Sequence, residues 1–272
     1  MSETPLEQSR SLLFAPASDE RRLGKALASA ADAVVADMED AVAPSEKAQA
    51  REVVSRLRPS IVRVNGAGTR WFEDDLALVA KLELDTLMLP KATPEAVVAL
   101  GREGPPVIAV IETALGLRLA FETASHERVV ALMLGAADLG AEVGFEPRTD
   151  GLELLYPRAK LVFDSAAAGI RPPFDVVHLT LDDVEGLEAS ARFARSLGFG
   201  GKACIHPAQI DVVNRVFAPD DEDIRWAERV VDAFERAQSA GEGVTALDGL
   251  MVDRPVVERA RRIIGRTTTK GH

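Results

Sequence analysis

A repeated alternation of short apolar runs with longer amphipathic segments restricts the fold of this chain more than any other feature. The apolar runs have hydrophobic residues at nearly every position, which is typical of strands buried on both faces of a parallel sheet. Eight such runs are predicted as strands, at 11–16, 33–37, 61–64, 86–89, 107–111, 129–134, 176–179 and 202–205. The segments between them have helical periodicity.

This strand–helix order predicts parallel strands joined by right-handed crossovers. Eight units within residues 9–217 match the size of a closed (β/α)₈ barrel. An open, doubly wound sheet is the alternative, but that fold usually begins with a Gly-rich turn. Here the first strand ends in Ala15-Pro16-Ala17-Ser18, and no G-x-G-x-x-G motif occurs. We therefore predict the α/β class and a TIM barrel over residues 9–217.

Residues 218–272 are surplus to the barrel. Their pattern predicts a charged amphipathic helix over 221–240, an extended piece over 245–252 and a last helix from Pro255 to about Gly265. We expect this helical C-terminal extension to pack on the barrel or on a neighbouring subunit.

Composition excludes several classes of protein. Asp and Glu outnumber Lys and Arg by 43 to 32, which argues against nucleic acid or an anionic membrane as the main partner. The single cysteine, Cys204, excludes an intramolecular disulfide. No apolar run approaches the ~20 residues that cross a bilayer, and the first residues do not resemble a signal peptide. A cytoplasmic location is the expectation.

Barrel enzymes have their active sites at the C-terminal ends of the strands, so polar residues that end a strand are candidates. Glu112 and Asp138 follow the fifth and sixth predicted strands. Because neighbouring strand ends lie about 5 Å apart, the two carboxylates would repel unless a proton or cation lies between them. Hard oxygen ligands suit Mg²⁺, whereas the four histidines lack the spacing of a zinc site. The alternative is that each acid only caps a helix.

Two basic residues belong to the same predicted rim. Arg63 lies within the third strand, where its planar guanidinium could clamp a substrate carboxylate or form a structural ion pair with Asp37 or Glu39. Lys91 follows the fourth strand and could contact substrate, pair with the acids after the second strand or form a Schiff base.

Asp37, Glu39 and Asp40 crowd three acids after the second strand. Asp37 and Glu39 share a side if the strand continues. We place Asp37 among the substrate-binding residues and favour a positioning role for these acids over metal coordination. His206, after the last strand, is either a general base or a buried structural residue, and Cys204 is expected to be an inert core thiol.

Several motifs in order resemble those of CitE-like proteins, the citrate lyase beta-subunit family within the HpcH/HpaI aldolase superfamily. The matching segments cover essentially the whole chain: Ser11-Leu-Leu-Phe-Ala-Pro16, Ala31-Asp-Ala-Val-Val-Ala-Asp-Met-Glu-Asp-Ala-Val42, Val62-Arg-Val-Asn65, Leu89-Pro-Lys91, Ile111-Glu-Thr-Ala114, Gly135-Ala-Ala-Asp-Leu139, Cys204-Ile-His-Pro207 and Asp248-Gly-Leu-Met-Val-Asp253.

The resemblance implies a TIM barrel in which Glu112 and Asp138 hold Mg²⁺ and Arg63 binds the substrate's carboxylate or oxo group. It also implies a homo-oligomer, commonly a trimer, in which Asp253 serves the active site of an adjacent subunit. Asp253 could instead cap the helix that begins near Pro255.

The implied reaction cleaves a citryl, malyl or citramalyl type of thioester into an oxo acid and an acyl thioester, carried by CoA or an acyl carrier protein. Asp253 is the candidate for proton transfer at the enolate carbon. Two alternatives fit the same residues: a citrate lyase beta subunit that acts only with acyl-carrier partner subunits, and a non-catalytic protein that binds Mg²⁺ and an oxo acid.

Overall fold

The computed structural model describes residues 6–239, 241 and 243–265, and these form two compact units with a boundary between Phe217 and Ala218. The first unit is a closed barrel in which each strand pairs in parallel with its neighbours and the eighth pairs with the first. The strands are β1 Ser11–Pro16, β2 Ala33–Asp37, β3 Ile61–Arg63, β4 Thr86–Leu89, β5 Val107–Ile111, β6 Val129–Leu134, β7 Phe174–Asp175 and β8 Gly201–Cys204. The predicted TIM barrel is confirmed.

Helices follow the strands. In the first unit they are α1 Glu20–Leu27, α2 Lys47–Leu57, α3 Phe72–Val79, α4 Pro94–Ala99, α5 Ala114–Arg118, α6 Ala120–Ala124, α7 Ala136–Val143, α8 Leu155–Ala168, α9 Val184–Leu197 and α10 Ile210–Phe217. Short 3₁₀ helices occupy Leu6–Gln8, Pro44–Glu46, Leu152–Leu154 and Pro207–Gln209. None of the described helices combines the length and apolar character needed to cross a membrane.

The seventh strand differs from its prediction. The apolar run 176–179 was predicted to be extended, whereas the strand is Phe174–Asp175, which pairs with Met133 on one side and Gly201 on the other. An acidic residue in a strand that follows two prolines breaks the expected apolar pattern. The pattern therefore misplaced β7, and it also missed α7 and α10.

Side chains from every strand fill the barrel interior in one cluster. Its buried members are Leu12, Val35, Ile61, Met88, Ile108, Val110, Ala131, Met133, Phe174 and Ala203. A larger apolar cluster lies between the strands and the surrounding helices. Because side chains alternate along a strand, the residue two positions after an interior residue also faces inward, nearer the C-terminal end. That rule determines which polar groups line the mouth of the barrel.

The described part of the second unit contains the helices α11 Asp221–Ser239 and α12 Arg254–Gly265, and an antiparallel hairpin of β9 Thr245–Leu247 and β10 Leu250–Val252. Asp248 and Gly249 both have positive φ in the hairpin turn, as a two-residue turn with Asp-Gly requires. The helices pack through small and apolar residues that include Ala227, Phe234 and Ala260. The predicted helical C-terminal region is therefore present.

Candidate active site

The strand period delivers three charged side chains to the mouth of the barrel. Asp37, Arg63 and Glu112 each follow an interior residue by two positions, namely Val35, Ile61 and Val110. Asp37 and Arg63 are also register partners across β2 and β3. Sequence reasoning placed all three at one rim, and the alternation explains why they face inward there.

Asp37 holds the guanidinium of Arg63 along one edge. Arg63 Nε donates to Oδ1 of Asp37 at 2.7 Å, and Nη2 donates to Oδ2 at 2.6 Å. Each carboxylate oxygen also accepts a backbone N–H, from Glu39 at 2.9 Å and from Ala41 at 3.2 Å. Asp37 is thus buried with both oxygens occupied, and the Nη1 side of Arg63 is turned away from it.

Glu39 links the two cations of the site. Its Oε1 accepts from Lys91 Nζ at 3.0 Å, while its Oε2 lies 3.1 Å from Arg63 Nη1 without hydrogen-bond geometry. Burial raises the pKa of this carboxyl above its ordinary value, although Arg63 and Lys91 oppose the shift. Behind it, Lys47 Nζ donates to the carbonyl oxygens of Met38 and Glu39, each at 2.7 Å. Lys47 therefore fixes the backbone that carries Glu39.

Lys91 is the meeting point of three carboxylates. Its Nζ lies 3.0 Å from Glu39 Oε1, 3.5 Å from Asp138 Oδ2 and 4.0 Å from Glu112 Oε1. Burial acts to lower the pKa of Lys91, but the hydrogen bond to Glu39 and the neighbouring acids together raise it. An ammonium held in its protonated form is a poor nucleophile, so the geometry disfavours the Schiff-base alternative.

The backbone at Lys91 is unusual as well. Its φ is +48°, a left-handed conformation that few residues other than glycine adopt without cost. In this conformation the Lys91 N–H donates to Oε1 of Glu112 at 2.7 Å. The same residue therefore orients one acid through its main chain and attracts three through its side chain.

Glu112 is buried at the end of β5, against a glycine. A Cβ at Gly135 would lie 2.5 Å from the Cβ of Glu112 and 2.7 Å from its Oε2, so only glycine leaves room for this carboxylate. Burial raises the pKa of Glu112 to about 7; the Lys91 N–H opposes the shift, and the charge of Glu39 adds to it. A nearby cation would offset the cost of ionising this group.

Asp138 reaches the site from a helix rather than from a strand end. It lies in the first turn of α7, the helix that the sequence pattern missed, and its side chain is 42% exposed. Lys91 Nζ contacts both Asp138 and Glu112. The two predicted ligands therefore converge on a single cation.

The donor set fits a hard divalent cation. Glu112 and Asp138 supply carboxylate oxygens around the position of the Lys91 ammonium. Within the described residues, no group of three or more His, Cys, Asp or Glu side chains is arranged as a metal site. Two carboxylates with the remaining positions open to water and substrate is the arrangement that Mg²⁺ commonly adopts.

Three other candidates can now be placed. His206 is exposed, and its Nδ1 accepts from the Ala208 N–H at 3.2 Å, so of its two alternatives the buried structural residue does not hold. Cys204 is buried, and burial raises the pKa of its thiol to about 12. Asp253 belongs to the second unit, where its Oδ1 accepts from the Val256 N–H at 3.2 Å as the cap of α12.

Comparison with known proteins identifies the group to which this arrangement belongs. The model of the HpcH/HpaI aldolase/citrate lyase family matches residues 10–207, which include Arg63, Glu112 and Asp138. The chain belongs to that family. The matched residues include all eight strands of the barrel, and the resemblance in the motifs is confirmed.

Curated relatives in the HpcH/HpaI family are similar over nearly their whole length. A (3S)-malyl-CoA thioesterase of Cereibacter sphaeroides is 38% identical over 268 residues, which are 94% of this chain and 94% of the relative. The citrate lyase subunit beta of Leuconostoc mesenteroides subsp. cremoris is 35% identical, with 94% of this chain and 92% of that protein covered.

Solved structures extend the comparison to the fold. CitE from Mycobacterium tuberculosis, in complex with magnesium, acetoacetate and coenzyme A, superposes with a TM-score of 0.85 at 37% identity, covering 97% of this chain and 100% of that one. A citrate lyase beta subunit from the same organism, complexed with oxaloacetate and magnesium, gives a TM-score of 0.73 at 38% identity, covering 79% of this chain and 99% of that one.

Sequence reasoning overlooked two residues that shape the site. Gly135 was noted only as part of a motif, yet its missing side chain makes room for Glu112. A glycine that directly follows a buried strand, beside an acid on the neighbouring strand, was the available signal. Lys47 is the second, because it donates to two carbonyl oxygens, and only the three-dimensional loop reveals this.

Proposed function

We propose that this protein is a Mg²⁺-dependent carbon–carbon lyase. It cleaves a 3-hydroxy-3-carboxyacyl thioester of the citryl, malyl or citramalyl class into an oxo acid and an acyl thioester. The observation that carries the proposal is the convergence of Glu112 and Asp138 on one cation, beside an arginine held by Asp37. Relatives that bind magnesium together with oxo acids or coenzyme A support the same class of substrate.

Glu112 and Asp138 are the proposed ligands of Mg²⁺. When bound, this ion would supply Lewis-acid polarisation of the oxo acid's oxygens as its carbonyl forms. Burial of Glu112 serves that role because a desolvated carboxylate gains more from a nearby cation than an exposed one does. Gly135 and the Lys91 N–H keep the carboxylate in place.

Arg63 is the proposed partner of the substrate carboxylate. Asp37 occupies its Nε and one Nη2 hydrogen, which fixes the plane of the guanidinium. The Nη1 end lies 3.1 Å from Glu39 Oε2 without hydrogen-bond geometry and 3.6 Å from Asp40 Oδ2, and it keeps N–H groups that can donate to a substrate carboxylate. In this scheme Asp37 orients the arginine, and Lys91 supplies a second positive charge at the same mouth.

The bond changes are those of a retro-aldol or retro-Claisen cleavage. The substrate hydroxyl loses its proton to solvent water, the C–C bond breaks, and the electron pair of that bond becomes the enolate of the acyl thioester. That enolate carbon then takes up a proton. We assign this proton transfer to Asp253, and we propose a homo-oligomer, with a trimer as the expected state.

Hydrolysis of the thioester is a second candidate function. The 38% identity to a (3S)-malyl-CoA thioesterase favours it, because the same site could bind a malyl thioester and direct water to its carbonyl carbon. The two reactions differ in products: cleavage retains the thioester and releases an oxo acid, whereas hydrolysis releases a free thiol and the intact hydroxy acid.

The test is a product assay on the purified full chain with Mg²⁺ and citryl-, malyl- and citramalyl-CoA. Oxo acid and free CoA thiol are measured in parallel, with and without EDTA. EDTA-sensitive oxo-acid release that is absent in Glu112→Ala supports the lyase, and thiol release without oxo acid supports the thioesterase. Absence of both products contradicts a stand-alone enzyme and favours a beta subunit that needs an acyl-carrier partner.

A further inference from the structure

The acid cluster, defined as Asp37, Glu39, Asp40, Glu112 and Asp138, has more negative charge than its basic partners balance. Five carboxylates form direct ion pairs with two cations: Arg63 contacts the first three, and Lys91 contacts Glu39 and the last two. The Asp37 contact of Arg63 is bidentate and buried. The Lys91 ammonium, in contrast, is spread over three acceptors at 3.0, 3.5 and 4.0 Å.

Lys91 is placed to move, whereas Arg63 is not. The side chain of Lys91 is 45% exposed and that of Arg63 is 12% exposed. Lys91 and Glu39 also border a cavity of about 610 Å³ that is lined further by Asn65, Thr69 and Trp71. A flexible four-carbon stem beside open space lets the ammonium shift without disturbing core packing, and the backbone N–H to Glu112 does not depend on where the ammonium lies.

We propose that Lys91 is the resident counter-cation of the acid cluster, which gives up its place between Glu112 and Asp138 when a divalent ion binds, and then faces the carboxylate of the incoming oxo acid. This inference rests on the proposed function and extends it to an order of binding. The metal-free site keeps its cation paired with its own acids. Metal binding frees that cation, so Mg²⁺ and the oxo acid bind cooperatively.

Coulomb's law gives the sign of the effect. A lysine that competes with the divalent ion for the same carboxylates weakens metal binding, so its removal strengthens metal binding. A lysine that merely supports the site would have the opposite effect, because its loss would disorder the carboxylates. Linkage adds a second signature: if Mg²⁺ improves oxo-acid binding through Lys91, the oxo acid improves Mg²⁺ binding by the same factor.

The test is isothermal titration calorimetry on the full-length protein, with Mg²⁺ alone, pyruvate alone, and pyruvate after saturation with Mg²⁺. We expect Lys91→Met to bind Mg²⁺ about tenfold more tightly than wild type, as expected when one like charge is removed at this range in a partly exposed site. We expect the enhancement of pyruvate binding by Mg²⁺ to fall by about tenfold in the same variant. Lys91→Gln, in which the new side chain is polar, should likewise strengthen Mg²⁺ binding and weaken the enhancement of pyruvate binding by Mg²⁺.

Lys160→Met is the matched control. Lys160 pairs with Asp164 at 2.6 Å on α8, so this substitution removes the same charge without touching the acid cluster, and both affinities should stay at wild-type values. The inference is overturned if Lys91→Met and Lys91→Gln bind Mg²⁺ no more tightly than wild type. It is also overturned if both variants retain the full coupling between Mg²⁺ and pyruvate. A wild-type protein that binds no Mg²⁺ overturns the proposed function together with it.

Discussion

Two groups of charged residues lie in the same barrel and differ in location and in how fully their carboxylates are hydrogen-bonded. The acid cluster lies at the mouth, where the strands end and the segments after them begin. The second group, here called the buried triplet, comprises Arg158 of α8, Asp175 of β7 and Lys202 of β8, and it lies on the outer face, under the helices. All three side chains of the triplet are at most 3% exposed.

The difference lies in how completely the carboxylate oxygens accept hydrogen bonds. Both oxygens of Asp175 accept from Arg158, at 2.8 and 3.2 Å, and Oδ2 also accepts from Lys202 at 2.6 Å. Lys202 donates in addition to Ser190 at 3.1 Å. In the acid cluster, Glu39 Oε2 lacks a hydrogen bond and Glu112 has a raised pKa. The fully hydrogen-bonded carboxylate of the triplet is held in one place, whereas the unsatisfied oxygen of the acid cluster can still accept a ligand.

The largest expected effect is in the buried triplet. Asp175→Asn leaves two buried cations without a counter-charge, so the free energy of unfolding should fall by about 3–5 kcal/mol. Urea denaturation monitored by circular dichroism measures it. Asp164→Asn, which removes a helical i,i+4 pair with Lys160, should cost about 0.5 kcal/mol or less. Equal losses in the two variants would contradict the special weight given to the triplet.

Glu112→Gln should raise the free energy of unfolding of the metal-free protein, whereas Asp175→Asn lowers it. The pKa of Glu112 is about 7 in the folded protein against an ordinary 4.5, so between these values the folded state keeps a proton that the unfolded chain has lost. Stability therefore falls as pH rises through this window, by up to about 3 kcal/mol. Glutamine keeps an acceptor for the Lys91 N–H but carries no charge. The variant should therefore become more stable than wild type as pH rises through the same window.

Urea denaturation in EDTA at about pH 5 and about pH 8 measures the pH dependence on which this prediction rests. Glu188→Gln provides a control, because hydrogen bonds from Arg192 and Arg215 lower the pKa of Glu188 below its ordinary 4.5. Its window therefore lies below both pH values, and this variant should be less stable than wild type to the same extent at each. If Glu112→Gln is less stable than wild type at the higher pH, ionisation of Glu112 does not destabilise the metal-free protein.

A smaller effect is expected from the residue that orients Arg63. Asp37→Asn removes the bidentate grip, and we expect KM for the thioester to rise by about 10- to 100-fold through misplacement of the guanidinium. Asp40→Asn is the matched control, because Asp40 lies 3.6 Å from Nη1 and its side chain is 58% exposed, so its loss should change KM by about threefold or less. Steady-state kinetics on both variants makes the comparison.

The smallest expected effect concerns His206. Its side chain caps the 3₁₀ helix Pro207–Gln209 by accepting the Ala208 N–H, so His206→Ala should lower the free energy of unfolding by about 0.5–1 kcal/mol. His206→Asn should restore most of the loss, since asparagine is a good cap. A fall in turnover at unchanged stability would instead give His206 a role in the chemistry.

Sequence predicts best the features that follow from the alternation of side chains along a strand, namely the barrel and the residues that face its interior. The strand runs predicted the barrel, and the inward position of Arg63 and Glu112 follows from a period of two. What alternation cannot show is a contact between distant outward-facing residues, such as Asp175 with Arg158. The β7 strand was misplaced because its buried acid makes sense only beside those partners. The left-handed backbone of Lys91 was likewise invisible, because nothing in Leu89-Pro-Lys91 distinguishes it from an ordinary turn.

The absence of a side chain at Gly135 has a consequence for how this protein can be inherited. Codons for glycine and alanine differ at a single base, and the one methyl group that alanine adds would collide with Glu112. The gene is therefore one point mutation away from a chain in which every acid, arginine and lysine of the site is intact but the carboxylate at its centre has been pushed aside. Such a loss would escape any survey of the protein that inspects only its charged residues.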